Sequence, residues 1–239
     1  TMFYTAKDYS GASAGFDLDM EDVMVEKLIG LYPAIDTLVP MLRSFEGVVD
    51  CQVTATCKMD STMSLELPSL HSACYLHGEN MVLLDGETFT EISKTLMFKN
   101  KKRNVIDSIS VDLAIKDNKI EVFPFLVEMD RYKVAVGGTH NLDMTFNYHL
   151  SVLKSPVPFK LGIDITGNLD DFKYKIVKCR YKDLFKPAKE AELDSTRTNV
   201  RKEIRESIRN QIKETAPELV SSLSPNHTVT PPEGETNAL

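Results

Sequence analysis

The chain has 239 residues, a length that sets one large domain or two small ones. Its 28 Lys and Arg stand against 35 Asp and Glu, a net charge of −7, which argues against a general nucleic-acid binder. With 42% hydrophobic and 26% charged residues it is globular in bulk, and no run approaches the ~20 apolar residues of a membrane-spanning helix.

The chain opens on Thr1 rather than Met, so a piece of a longer protein is expected, from which any signal or anchor upstream would be missing. Phe16, Leu18 and Met20 alternate with acidic residues and predict a half-buried strand. From Asp22 the period changes: Val23, Leu28, Leu31, Ile35, Leu38, Leu42 and Phe45 predict two short helices meeting at Pro33. A strand follows from Gly47 to Met59, with Met63, Leu65 and Leu67 continuing at period two. Tyr75–Leu84 is another strand. Thr88 and Glu91 have capping-box spacing, ahead of a helix over 89–98. The centre predicts successive strands. Ile109, Val111, Leu113 and Ile115 alternate, Asp117-Asn118 turns the chain, and Ile120–Val127 returns. Tyr132, Val134 and Val136 precede Gly137-Gly138, and Leu142, Met144, Phe146, Tyr148, Leu150 and Val152 form the longest alternation. After Pro156 and Pro158 come Leu161, Ile163 and Ile165, then Phe172, Tyr174 and Ile176. Short connections make these an antiparallel meander. Leu193, Val200, Ile204, Ile208 and Ile212 put a narrow apolar stripe on a charged helix, and residues 215–239 have the composition of a disordered tail.

Few constellations suggest chemistry. Gly11-Ala12-Ser13-Ala14-Gly15 fits G-x-S-x-G, but that motif needs a helix directly after the serine and here a strand follows. A turn of small residues is therefore preferred, with a Ser13 hydrolase kept as a rival. His71, Cys74 and His77 have ligand-like spacing, yet on a strand His71 and His77 face one side and Cys74 the other, so no metal site is assigned. Asp17, Asp19 and Glu21 are read as the wet face of a strand. Cys51 and Cys57 share one strand face about 20 Å apart and cannot pair with each other; the four cysteines are taken as apolar fillers and leave the redox compartment open. No catalytic residue and no cofactor is assigned.

The expected fold is mainly β with a few helices: an antiparallel meander with short covering helices and a C-terminal helix. Its apolar face must be covered, and the pattern alone favours a second sheet over a partner or an apolar ligand.

A resemblance alters that balance. Leu65-Glu66-Leu67-Pro68-Ser69-Leu70, then Gly78-Glu79-Asn80, Asp85-Gly86 and the helix Phe89–Phe98 stand in order. Ile115–Phe125 is a strand–turn–strand ending in Pro124-Phe125. Gly138–Asp143 with Phe146-Asn147-Tyr148, Pro156-Val157-Pro158 and Ile165–Phe172 complete the set. Residues 45–181 thereby resemble the C-terminal region of the AsmA family, relatives of TamB and similar to bridge-like lipid transfer proteins.

The resemblance implies an AsmA-like domain over 1–187 whose meander forms a curved, groove-like sheet; the charged amphipathic helix over 188–214 and the tail over 215–239 lie outside the resemblance and rest on the residues alone. It implies a non-catalytic envelope protein in the periplasm of a Gram-negative bacterium, anchored in the inner membrane by a missing N-terminal segment. Its cargo would be phospholipid acyl chains, in support of lipid transport and outer-membrane assembly. The implied groove lining is Ile109, Val111, Leu113, Ile115, Val134, Val136, Met144, Phe146, Tyr148, Leu150, Ile163, Ile165, Tyr174 and Ile176. The alternative is a β-sandwich scaffold that binds other envelope proteins through the stripe of Leu193, Val200, Ile204, Ile208 and Ile212.

Overall fold

The computed structural model describes residues 2–6, 12–31, 39–62, 64–84, 104–129, 132–155, 160–168 and 170–215. Among these residues eleven strands form one antiparallel sheet. They are β1 (Met2–Ala6), β2 (Ala12–Met24), β3 (Phe45–Glu46), β4 (Val48–Met59), β5 (His71–Leu83), β6 (Asn104–Lys116), β7 (Lys119–Met129), β8 (Tyr132–Asn141), β9 (Phe146–Lys154), β10 (Leu161–Gly167) and β11 (Phe172–Val177). The path runs β1-β2-β4-β5-β6-β7-β8-β9-β10-β11, with β3 paired to β5 off it. The alternation predicts this mainly β meander and the resemblance its open, curved form; the second packed sheet that the pattern alone favours is not what covers it. Among the described residues two α-helices accompany it, α1 (Val25–Leu31) and the long C-terminal α2 (Pro187–Thr215).

Local chemistry explains where strands turn. Asp117 and Asn118 both take positive φ, 53° and 63°, which a two-residue hairpin requires and these side chains tolerate. Asp143 Oδ1 accepts from the Thr145 amide and hydroxyl, and the Asn141 amide donates to the Thr145 carbonyl. That turn delays the start of the next strand to Phe146. Met144 therefore sits in a left-handed turn position, φ 67°, rather than on a strand lining a groove.

Other expectations are corrected. β2 begins at Ala12 and passes through Ser13, which lies in neither a turn nor a strand-to-helix elbow. It also runs past Met20, where a helix was expected, and bulges at Asp22, whose amide donates to Asp50 Oδ1. The helix starts only at Val25. Leu65 makes a single bridge to Met59 and Leu67–Ser69 is a 3-10 turn, so no strand continues there. Gly137-Gly138 lies inside β8 and does not end it. The Pro33 junction, the helix over 89–98, Pro156, Pro158 and the tail beyond 215 lie outside the described residues.

The core is spread along one face of the sheet. At one rim α1 sets Val25 and Leu28 against Val49, Cys51, Met81, Leu83, Ile106 and Met129. At the other rim Leu70 packs with Ala55, Cys57, Leu113, Ile115, Ile120, Val122 and Tyr148. A third group joins Val134, Val152, Ile163 and Ile165. Each large aliphatic side chain buried this way contributes about 1.5–3 kcal/mol.

Candidate functional site

Antiparallel register carries one apolar row across the sheet. Leu18 faces Val53, then Cys74, Leu113, Val122, Gly138, Tyr148, Ile165 and Tyr174 in turn. A bulge between Val122 and Phe125 restores the same face one step on, where Phe125, Val136, Leu150, Ile163 and Ile176 align. Thirteen of the expected lining residues thus stand on one face, because residues directly opposite in a ladder share a face. Met144 is the exception, in its turn.

Burial divides these residues into floor and surface. Leu113, Ile115, Val134, Tyr148, Ile163 and Ile165 are buried, and Ile163 is only 1% exposed. Ile109, Val111, Val136, Phe146 and Leu150 are half-buried, while Tyr174 and Ile176 on the last strand are 45% and 60% exposed. The accessible apolar band thus consists of the half-buried set and the β11 pair. Leu18, Val53, Leu76 and Phe125 belong to the same face and were not assigned from sequence. Cysteine and small residues interrupt the alternation around Val53 in β4 and Leu76 in β5, and the bulge before Phe125 breaks the period in β7, while Leu18 lies in a strand whose alternation is plain. The Tyr148 hydroxyl is bonded to His140 Nδ1 at 2.8 Å, so even this polar tip is satisfied within the apolar face. All four cysteines are free.

The opposite face is polar, and α2 lies on it. Arg197, Arg201, Arg205 and Arg209 recur every fourth residue and reach from β7 across β6 and β5 to β2. Arg197 Nη1 donates to the Pro124 carbonyl of β7 (3.2 Å), and Arg201 Nη1 to Asp112 Oδ1 of β6 (2.8 Å). The Arg201 guanidinium also stacks 4.2 Å above the Tyr75 ring of β5. Arg205 donates through Nε (3.1 Å) and Nη2 (3.0 Å) to Asp17 Oδ1 of β2, and Arg209 donates to Asp17 Oδ2. Asp17 is held further by the buried Thr54 hydroxyl of β4 at 2.7 Å. Four helical residues advance about 6 Å and neighbouring strands lie about 4.8 Å apart, so an arginine every fourth residue reaches new strands as the helix crosses them, until Arg205 and Arg209 share Asp17. The Asp17 side chain is therefore an ion-pair anchor and not simply a wet strand face.

Electrostatics differ between the two anchors. Burial works to raise the Asp17 carboxyl, but the Thr54 hydroxyl, Arg209 and Arg205 outweigh it and hold it below the ordinary value of 3.8. Burial wins at Asp112 and pushes its carboxyl up despite Arg201 and Arg197. Arg197 Nε lies 4.0 Å from Asp112 Oδ2 and has no hydrogen-bond partner, so this second pairing is loose.

The apolar stripe of α2 is taken up by the chain itself. Ile208 and Ile212 are buried and Ile204 packs on them, while Leu193 and Val200 are half-buried. A Cβ on Gly15 would stand 2.8 Å from Ile212 Cγ1, so glycine lets the helix lie against β2.

The chain reaches α2 through a polar latch. His149 Nδ1 lies 2.6 Å from Asp164 Oδ1, and its Nε2 lies 2.9 Å from Ser151 Oγ. The order is that of a Ser-His-Asp relay. Here, however, Ser151 is 0% exposed and its oxygen accepts the Tyr181 amide (3.0 Å), while the Arg180 amide donates to His149 Nε2 (3.2 Å). The arrangement fastens residues 180–181 across β9 and β10. Replacing Ser151 by Ala is expected to cost about 1–3 kcal/mol in urea denaturation, because the Tyr181 amide is orphaned. A serine-directed fluorophosphonate is expected to leave folded protein unlabelled at Ser151. His71 and His77 stand on the polar face and Cys74 on the apolar one, as strand alternation dictates.

No helix among the described residues is long and apolar enough to cross a membrane. No family model matches the chain, and no curated protein or solved structure matches it.

Proposed function

We propose that this chain is part of a non-catalytic envelope protein of the AsmA family that binds phospholipid acyl chains along its apolar sheet face. In that reading it works in the periplasm, held to the inner membrane by a segment upstream, and supports lipid movement toward the outer membrane. The observation that carries it is the unequal treatment of the two faces. The polar face is covered over β2 to β7 by α2, through ion pairs to Asp112 and Asp17. The apolar face keeps a half-buried to exposed band from Val111 through Val136 and Leu150 to Ile176. Such a band favours a ligand made of methylenes, each worth about 0.8 kcal/mol when buried. It needs no directed polar contacts.

The test is mass spectrometry of organic extracts from protein purified out of a bacterial periplasm, beside a control of similar size and charge. Phospholipid retained above the control is the expected result. A folded, lipid-free protein would overturn it and leave the scaffold alternative.

A further inference from the structure

We propose that the open edge of the sheet at β11 docks edge-on against an anionic phospholipid bilayer. The chain as a whole is acidic, yet residues 173–189 hold seven Lys or Arg against one Asp. Two of the seven are neutralised locally, Arg180 by Asp164 and Lys186 by Asp183. Lys173, Lys175, Lys178 and Lys182 are exposed and form no ion pair with any described residue.

Their placement is amphipathic. Lys173 and Lys175 stand opposite Thr166 and Asp164 on the polar face of β11. Tyr174 and Ile176 stand on the apolar face of the same strand, 45% and 60% exposed. β11 pairs only with β10, so its outer edge meets no further described strand. Lysines on an edge strand also discourage strand addition. That role alone does not require two large exposed apolar side chains between them. A surface with phosphates at one level and acyl carbons just below matches both sets at once, lysine to phosphate and Tyr174 and Ile176 to the interface. An acidic soluble partner would match only the first. The proposal goes beyond acyl-chain binding in the groove and stands without it.

The experiment is co-sedimentation of the full chain with vesicles of equal parts phosphatidylglycerol and phosphatidylcholine, and with pure phosphatidylcholine vesicles, at low and at molar salt. Binding is expected on the anionic vesicles only, and is expected to vanish at molar salt. The triple variant Lys173→Gln, Lys175→Gln, Lys178→Gln should weaken it about a hundredfold, and the corresponding triple Arg variant should keep it. Ile176→Ser should weaken it about tenfold without changing the salt dependence. If the Gln triple fails to fold by circular dichroism, Lys182→Gln with Lys189→Gln gives the same comparison outside the strand. Equal binding to both vesicle types, or wild-type binding by the Gln variants, would overturn the proposal. So would equally tight retention on heparin that ignores Ile176→Ser, which would make the strip a site for soluble polyanions. Lipid carried through purification is scored separately, so an empty groove with intact vesicle binding, or the reverse, separates this proposal from the groove reading.

Discussion

Leu150→Asp is expected to yield a folded protein that no longer retains acyl chains. Leu150 stands mid-band between Val136 and Ile163, half-buried, so a carboxylate there still reaches water. The fold loses part of one leucine's burial, about 1 kcal/mol, against a total stability of roughly 5–15 kcal/mol. A chain lying over that position would have to strip water from a charge, which costs several kcal/mol, more than the methylenes near it return. Ile163→Asp is the companion variant. Ile163 is 1% exposed and packs with Val134, Val152 and Ile165, so its charge has no access to water and the domain should fail to fold. Thermal melts by circular dichroism and lipid mass spectrometry on both variants check this. Loss of folding in Leu150→Asp as well would make the band a closed core. A folded Leu150→Asp that keeps its lipid would place the lipid elsewhere.

The meander was legible because its evidence is local. Period-two alternation in Ile109–Ile115 and in Leu161–Ile165, and a hairpin pair at Asp117-Asn118, need only neighbours in sequence. The same alternation misled at Met144, since Leu142, Met144 and Phe146 keep the period while Asp143 and Thr145 close a turn. Side-chain-to-backbone bonds outrank hydropathy over so short a span. The polar face was less legible for a different reason. Asp17 reads as solvated from its own strand, and its partners lie 188 and 192 residues away in Arg205 and Arg209. The helix did carry the signal: its arginines step by four beside the isoleucine stripe of 204, 208 and 212. Two adjoining rows, one cationic and one apolar, suit a helix docked on a mixed polar sheet. An apolar stripe taken alone suggested a surface for partners.

Asp17→Asn is expected to destabilise the protein more than Asp112→Asn, by about 2 kcal/mol against about 1 or less. Both carboxylates sit beneath α2, but they stand in opposite relation to their surroundings. Asp17 receives two guanidinium groups and the Thr54 hydroxyl, so its charged form is the one the fold stabilises. Its pKa is lowered on folding. Its contribution is therefore present above 3.8, the unfolded value, and is lost as pH falls below 3.8 toward the folded value. Asp112 has its pKa raised, mainly by burial, so ionisation works against the fold. Its favourable contribution is present below 3.8 and is lost as pH rises through the folded value. A neutral Asn at 112 keeps the shape and removes that cost, while Arg201 retains its stacking on Tyr75. Urea denaturation of the three proteins between about pH 7 and about pH 3 separates the two acids. The gap between wild type and Asp17→Asn should be full at neutral pH and close in the acid range. Molar salt should narrow it too, since the Arg209 side chain is 45% exposed and its pairing is partly screened. Equal losses at the two positions, or a gap for Asp17→Asn that ignores pH and salt, would mean that Ile208 and Ile212 hold the helix and the ion pairs only decorate it. The expected asymmetry would instead make the arginine pairings beneath α2 the reason the polar face is closed over β2 to β7, leaving the apolar face of those strands as the one available to lipid.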